Sequence, residues 1–389
     1  MLTTGGRQSL GLYVAPLQHD FHLSLSQVSL ALAIGQFTWG AVQPLFGFAA
    51  DLWGPTRVLV TGGLLMAIGF SLTPFVHGTA GLILSLGLLS AAGAGAGSFS
   101  ILIGATAGRI PVEKRGLASG IINAGASLGQ FLFAPLNLFL IGTVSWVGGM
   151  FTMAALMLAS IPLSLALRQP ASAVSHHADE SGTQQRGGLG AALREAFGDR
   201  SYWCLHAGFF TCGFHVAFLV THLPTEVSVC GLPGSVAATS LAVIGLSNIV
   251  GSLSVGALAH RYRMKFLLFG VYFLRVLAIA AYLLAPHTAT TFYVFSVVLG
   301  VSWLSTVPPT AGLVGKLFGT RYLATLFGMT LLSHQTGAFF GAWAGGWAME
   351  HFGSFQGMWI TDMALALCAA LINLPIREAP YKTVIVRPA

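Results

Sequence analysis

Again and again this chain runs for the length of a bilayer with scarcely a charge, and few architectures accommodate that. About twenty apolar residues span the hydrocarbon core as a helix. No water is available there, so a lone segment must satisfy its backbone internally and be helical. Cut at proline, glycine and charged clusters, the sequence gives twelve such windows: 1–18, 27–50, 57–76, 79–107, 116–141, 144–167, 201–223, 234–259, 265–285, 289–315, 321–349 and 355–376. Only 7% of the 389 residues are charged and 55% are hydrophobic, against roughly 25% charged in soluble domains. A soluble protein of this size could not leave its surface so poor in charge. The fold class is therefore an all-α membrane protein, and the lipid bilayer is its first partner. The first window opens on polar and glycine positions and lacks a basic segment ahead of it. It reads as the outer part of a first helix whose inner part is short or missing, and it is too short for a cationic secretory signal.

One long hydrophilic stretch interrupts the pattern, "RQPASAVSHHADESGTQQRGGLGAALREAFGDR". It makes 168–200 a linker, with a short surface helix expected near "AALREAF". The domains are then 1–167 and 201–376, six spans each, followed by a tail at 377–389. The net charge of +7 raises the question of nucleic acid, but the placement of the cations answers it. Sixteen of the eighteen lie on alternate connections: Arg57; Arg109, Lys114, Arg115; Arg168, Arg186, Arg194, Arg200; Arg261, Arg263, Lys265; Lys316, Arg321; and Arg377, Lys382, Arg387. The intervening connections hold none. Cations retained inside the cell fix this orientation, with both termini cytoplasmic. No nucleic acid is implied, and a monomer is the expected state.

The halves echo each other at an offset of about 210: "IGQFTWGAVQPLFGFAADLWGPTR" begins at Ile34 and "IGLSNIVGSLSVGALAHRYRMK" at Ile244. "NAGASLGQ" and "QTGAFFGA" share a Gly-xxx-Gly. Six-helix repeats are characteristic of transporters that alternate access to a midplane site. The same glycines also serve close helix packing.

"GFAADLWGPTR" resembles the loop motif of the major facilitator superfamily, keeping Gly47, Asp51, Gly54 and Arg57 but with Leu52 and Pro55 where basic residues are usual. The resemblance covers the whole chain. It implies two pseudo-symmetric six-helix bundles, helices 1, 4, 7 and 10 lining a cavity, and a gating latch at Gly47, Asp51, Gly54 and Arg57. "GGRQSLGLYVAPL", "CGFHVAFLVTHLP" and "LLSHQTGAFFGAWAGG" look like bacterial members near the monocarboxylate and oxalate/formate antiporter branch, which implies the inner membrane. The carboxylate-binding arginine of that branch, in the eighth helix, is absent: Ser252 stands there, with Asn248 one turn earlier.

Two cations fall inside spans, Arg7 and Arg275. An arginine at mid-bilayer is costly and must face a partner or water. Arg275 sits near the middle of the ninth span, on an outer helix of the resembled fold. It reads as a brace on carbonyls or Asn248, or else as a substrate contact. Arg7 lies about 15 Å inside the outer end of the first span, on a cavity-lining helix. No acidic residue occupies the middle of a span, and Asp362 is placed near the outer edge of the twelfth. Arg7 is then available for a substrate carboxylate, which a guanidinium binds through two parallel bonds; helix bracing and a cytoplasmic-edge position are the alternatives.

Proton coupling, if present, falls to histidine. His215 shares a helix face with Thr211, Phe218 and His222, and His334 precedes Gln335. Each of these histidines also has a plain packing role open to it. Asn123, Ser127 and Gln130 share another face. Trp303 stands just before Pro308-Pro309, which must bend the tenth helix. The candidate substrate-binding residues are therefore Arg7, Gln130, His215, Trp303, Arg275 and Asn123.

The four cysteines show no metal spacing and are expected as buried thiols. No cofactor or catalytic motif is present, and "GLVGKLFG" fails the phosphate-loop pattern. The sequence thus points to a secondary active transporter of a small organic anion, a monocarboxylate foremost, by proton symport or anion exchange. An exporter of neutral or amphipathic compounds and a transport-dead membrane sensor are the rivals.

Overall fold

Proline, glycine and short polar caps set the ends of the helices. The computed structural model describes residues 1–98, 101–102, 115–165, 189–259, 261–319 and 322–378. The side chains of Asp51 and Asn123 lie outside the described residues, as do Arg109, Lys114, Arg186, Arg321, Lys382 and Arg387.

The first helix, α1, is built from Leu2–Gln8, a 3-10 turn Leu10–Tyr13, and Val14–Phe21. A capping box of Ser24 and Gln27 starts α2, formed by Leu25–Ala41 and Gln43–Trp53. Gly54, at φ 86°, makes the turn into α3, Pro55–Phe75. Its positive φ suits glycine, and Pro55 follows at the first helical position, where no N–H is needed. The fourth helix, α4, covers Gly78–Ala96 and contains a π-helical stretch, Ile83–Ser90. Arg115–Leu165 is divided at Ser145, where φ 72° and ψ 167° break the helix into α5 and α6.

The second half repeats the plan. Here α7 is Arg200–Val229, capped by Asp199, α8 is Gly234–Leu258, and α9 is Met264–Leu284. Helix α10 falls into two pieces, Ala289–Ser302 and Val307–Phe318, followed by α11, Leu323–Phe352, and α12, Gln356–Asn373. The linker helix, Leu189–Gly198, covers the "AALREAF" stretch, and its Phe197 ring lies 5.4 Å from Tyr202.

The two halves meet along α2 with α11 and α5 with α8. Close approach there depends on glycine. A Cβ at Gly346 on α11 would lie 2.4 Å from Ser29 Oγ on α2, and one at Gly245 on α8 would lie 2.8 Å from the Ser127 carbonyl on α5. At the end of the molecule away from the basic connections, one apolar cluster joins both halves, including Tyr13, Leu17, Phe218, Leu223 and Trp359. That end is closed. The tight contacts of α2 stop near Gly40, which meets Gln335; beyond it Leu45, Phe48 and Trp53 are exposed, and Gly47 and Gly54 have nothing within 4 Å.

Three expectations need correction. Helix α7 continues through Pro224 to Val229, so Glu226 belongs to the helix and not to a connection. It is buried, accepting from the Tyr282 hydroxyl at 2.6 Å and the Trp359 indole at 3.2 Å. Asp362 is likewise fully buried, 0% exposed, against His215 halfway along α7 and not free at a helix edge. Of the cysteines, Cys204 and Cys212 are buried, whereas Cys230 is half-buried and Cys368 exposed; all four are free thiols.

Candidate substrate site

Arg7 sits at the end of the first helical piece of α1, just before that helix breaks. Ser9, at the break, donates from Oγ to the Gly5 carbonyl at 2.9 Å and accepts from Asn137 Nδ2 at 2.6 Å. Asn137 Oδ1 in turn accepts from the Tyr13 hydroxyl at 2.6 Å. This buried Ser9–Asn137–Tyr13 chain pins the break to α5. Arg7 thereby faces α2, where Nη1 donates to Gln36 Oε1 at 2.5 Å and the guanidinium lies 4.3 Å from the centre of the Trp39 ring. Its Nε is buried without a hydrogen-bond partner among the described residues, and no acid there pairs with it.

A small hollow adjoins the guanidinium, walled by Gly35, Gln36, Leu86, Ser90, Val220 and Thr221. Leu86 and Ser90 come from the π-helical stretch of α4, a distortion frequent at functional sites. The Val220 carbonyl is left over because Pro224, four residues on, has no N–H to give it. The free volume is about 20 Å³, enough for a single water molecule. A substrate needs the halves to part. Gly11 sets how closely α1 approaches α7 beside the hollow, since a Cβ there would lie 2.1 Å from the Val220 carbonyl. Gly11→Val should hold α1 and α7 apart. A membrane-impermeant maleimide should then label Thr221→Cys in the Gly11→Val background and not in the Gly11 background. Equal labelling would overturn this closure.

The C-terminal half holds a second polar group, separate from Arg7. His215 Nδ1 lies 2.5 Å from Asp362 Oδ2, with both side chains 0% exposed. The Trp303 ring meets the His215 ring at 5.8 Å. Arg275, also 0% exposed, donates from Nη2 to the Ser302 carbonyl at 2.6 Å and the Trp303 carbonyl at 2.7 Å, with Cys212 Sγ at 3.5 Å. These carbonyls are exposed by the break in α10 between Ser302 and Val307. Val307 N–H bonds Leu304 instead of Trp303. The guanidinium thus sits on protein oxygens and lines neither the Arg7 hollow nor any larger one described below. A substrate contact for Arg275 is not what this arrangement offers.

The remaining predicted residues are dispersed. Gln130 is buried between α5 and α8, near Gly245, beside the Ser127–Asn248 bond at 2.8 Å. His334 Nδ1 lies 3.0 Å from Gln335 Nε2. Asn123 and the Asp51 latch fall outside the described side chains. Sequence reasoning missed Gln36 and Trp39, one turn apart on α2 and therefore on one face, and it missed the acid beside His215.

Residues 1–342 match the model of the Major Facilitator Superfamily. Rat monocarboxylate transporter 13 is 27% identical over 381 residues, covering 96% of this chain and 86% of its own. The oxalate:formate antiporter of Oxalobacter formigenes is 25% identical, covering 99% and 91% respectively. Among solved structures, a D-xylose-proton symporter superposes with a TM-score of 0.74 at 17% identity, covering 97% of this chain and 95% of that one.

Proposed function

The chain belongs to the Major Facilitator Superfamily, and from that membership we propose that it is a secondary active transporter of a small organic carboxylate. The observation that carries this reading is Arg7: a guanidinium beside a membrane-buried hollow, held by Gln36 and Trp39 and balanced by no acid among the described residues. Relatives named for monocarboxylates and for oxalate and formate support the same substrate class. The cation asymmetry supports an inner-membrane location with the basic connections and both termini in the cytoplasm. The closed non-basic end is then the outer face, and the halves rock to expose Arg7 alternately, with Gly47, Asp51, Gly54 and Arg57 at the inner latch.

Uptake into proteoliposomes tests the substrate class. Small mono- and dicarboxylates should compete with one another, and their uncharged amides should not. Competition by amphipathic neutral compounds alone would favour the exporter reading instead.

His215 and Asp362 are the proposed carriers of a coupled proton. Two groups sharing one short contact, with His215 Nε2 and Asp362 Oδ1 otherwise unpartnered among the described residues, can add a proton without rearranging the helices. The Trp303 ring on α10 faces His215, and Arg275 on α9 holds the Trp303 carbonyl. Asp362→Asn should abolish accumulation driven by a pH gradient while substrate counterflow persists. Unchanged pH-driven accumulation would remove the pair from the coupling.

A further inference from the structure

We propose that the basic end of the C-terminal half binds an anionic phospholipid, with the lipid phosphate at Arg200 and Arg263 and an acyl chain between α7, α11 and α12. This goes beyond the transport reading and requires only that the basic end face the cytoplasmic leaflet.

A hollow of about 750 Å³ lies where the starts of α7 and α9 meet the end of α12. Four cations line it, Arg200, Arg263, Lys265 and Arg377, with two acids, Asp199 and Glu378. Both acids are already engaged. Asp199 Oδ2 is paired with Arg377 Nη2, while Asp199 Oδ1 caps α7 through Ser201 N at 2.7 Å. Glu378 Oε1 accepts from the Lys265 backbone N–H at 2.7 Å. Lys265 Nζ is anchored on the Leu374 carbonyl at 2.9 Å, which fixes its position and leaves its charge in the wall. That leaves Arg200 and Arg263, both exposed and without an ion pair among the described residues. The wall therefore carries a net positive charge delivered by two uncommitted guanidinium forks, which match phosphate oxygens in geometry and charge.

The source of that phosphate is indicated by what lies one helical turn deeper. Along the same two helices, α7 and α12, a groove of about 460 Å³ opens, lined by Trp203, His206, Phe210, Leu365, Cys368 and Ile372 with Ser333 from α11. Trp203 is 54% exposed, although its indole N–H is fixed on the Phe197 carbonyl at 2.8 Å. Tryptophan fixed at the end of a spanning helix marks the headgroup level. The linker helix Leu189–Gly198 is docked through Phe197 against Tyr202 and Trp203, so the rim is built from fixed elements. A cationic hollow at headgroup level above an apolar groove fits one molecule with an anionic head and hydrocarbon tails, the kind recognised by basic pockets on the cytoplasmic side. A soluble phosphate ester would use the hollow and leave the groove empty.

The test is native mass spectrometry of the full-length protein in detergent, offered phosphatidylglycerol or phosphatidylcholine with identical acyl chains. Phosphatidylglycerol should be retained roughly tenfold better. Arg200→Gln with Arg263→Gln should lower it to the phosphatidylcholine level, and the corresponding lysine pair should keep most of the preference. Trp203→Ala should weaken both lipids alike. Because both arginines are exposed and unpaired, the variants should melt with the wild type. If the glutamine pair fails to fold, the single variants are read instead, each losing part of the preference. Equal retention of the two lipids by the wild type would overturn the proposal. So would an undiminished preference in folded glutamine variants, or complete displacement of phosphatidylglycerol by millimolar inorganic phosphate. None of these readings involves transport, so failure here leaves the carboxylate reading standing.

Discussion

Arg275→Leu should destabilise the protein by about 2–6 kcal/mol, because it strands two buried carbonyls at about 1–3 kcal/mol each. The Ser302 and Trp303 oxygens lose their helical partners at the break in α10 and regain them from one nitrogen, Arg275 Nη2. Pro308 and Pro309 follow directly after and start the second piece of the helix. In water such carbonyls would be hydrated; inside a bundle no water replaces the guanidinium. Thermal unfolding in one detergent, compared between wild type and variant, measures the loss. Arg275→Lys should lose less, since an ammonium can still donate to these oxygens but without the planar fork.

A double-mutant cycle then separates bracing from mere packing. If Arg275 serves the break, Pro308→Ala with Pro309→Ala should let α10 close up and reduce the cost of Arg275→Leu. Full additivity of the three changes would show that the arginine stabilises by some other route. The permanent charge in the most lipid-like stretch of the chain thus answers two carbonyls laid open by the break in α10.

The architecture was legible because lipid imposes a simple rule on length and charge. Apolar windows gave the spans; the repeated Gly337 and Gly341 pack α11 on α7 within one half, while the 2–11 and 5–8 helix contacts join the halves. The prolines before Lys316 predicted a bend, and α10 is divided there. Arg7 and Arg275 stood out as charges no bilayer tolerates unassisted. The partners of Arg7 did not, because Gln36 and Trp39 are ordinary residues on another helix, brought to Arg7 only by packing. Asp362 and Glu226 were misplaced for a related reason. A window cut at Pro224 ends the seventh span too early, and an acid within two turns of a helix start looks peripheral until His215 is found beside it. Ser9 and Asn137, which hold the break in α1, carry no local pattern at all.

Arg7→Gln should cut carboxylate uptake by roughly 10–100-fold, the worth of a charge-assisted hydrogen bond of about 1.5–3 kcal/mol. The glutamine keeps polarity and reach towards Gln36 but offers no charge to an anion and no cation to the Trp39 ring. Arg7→Lys should lie between the two, since it keeps the charge and loses the fork. Gln36→Ala should affect transport less than Arg7→Gln, because it orients the guanidinium and does not replace it. All three variants should keep wild-type expression and melting behaviour, unlike Arg275→Leu. Transport loss accompanied by unfolding would point to Arg7 as a brace.

Equilibrium binding reaches the central claim without the complications of flux. Titration of the purified protein with a small carboxylate should give saturable heat that its uncharged amide does not reproduce, and Arg7→Gln should weaken the binding roughly 10–100-fold. Equal binding of acid and amide, or undiminished binding by Arg7→Gln, would contradict an anion site at Arg7.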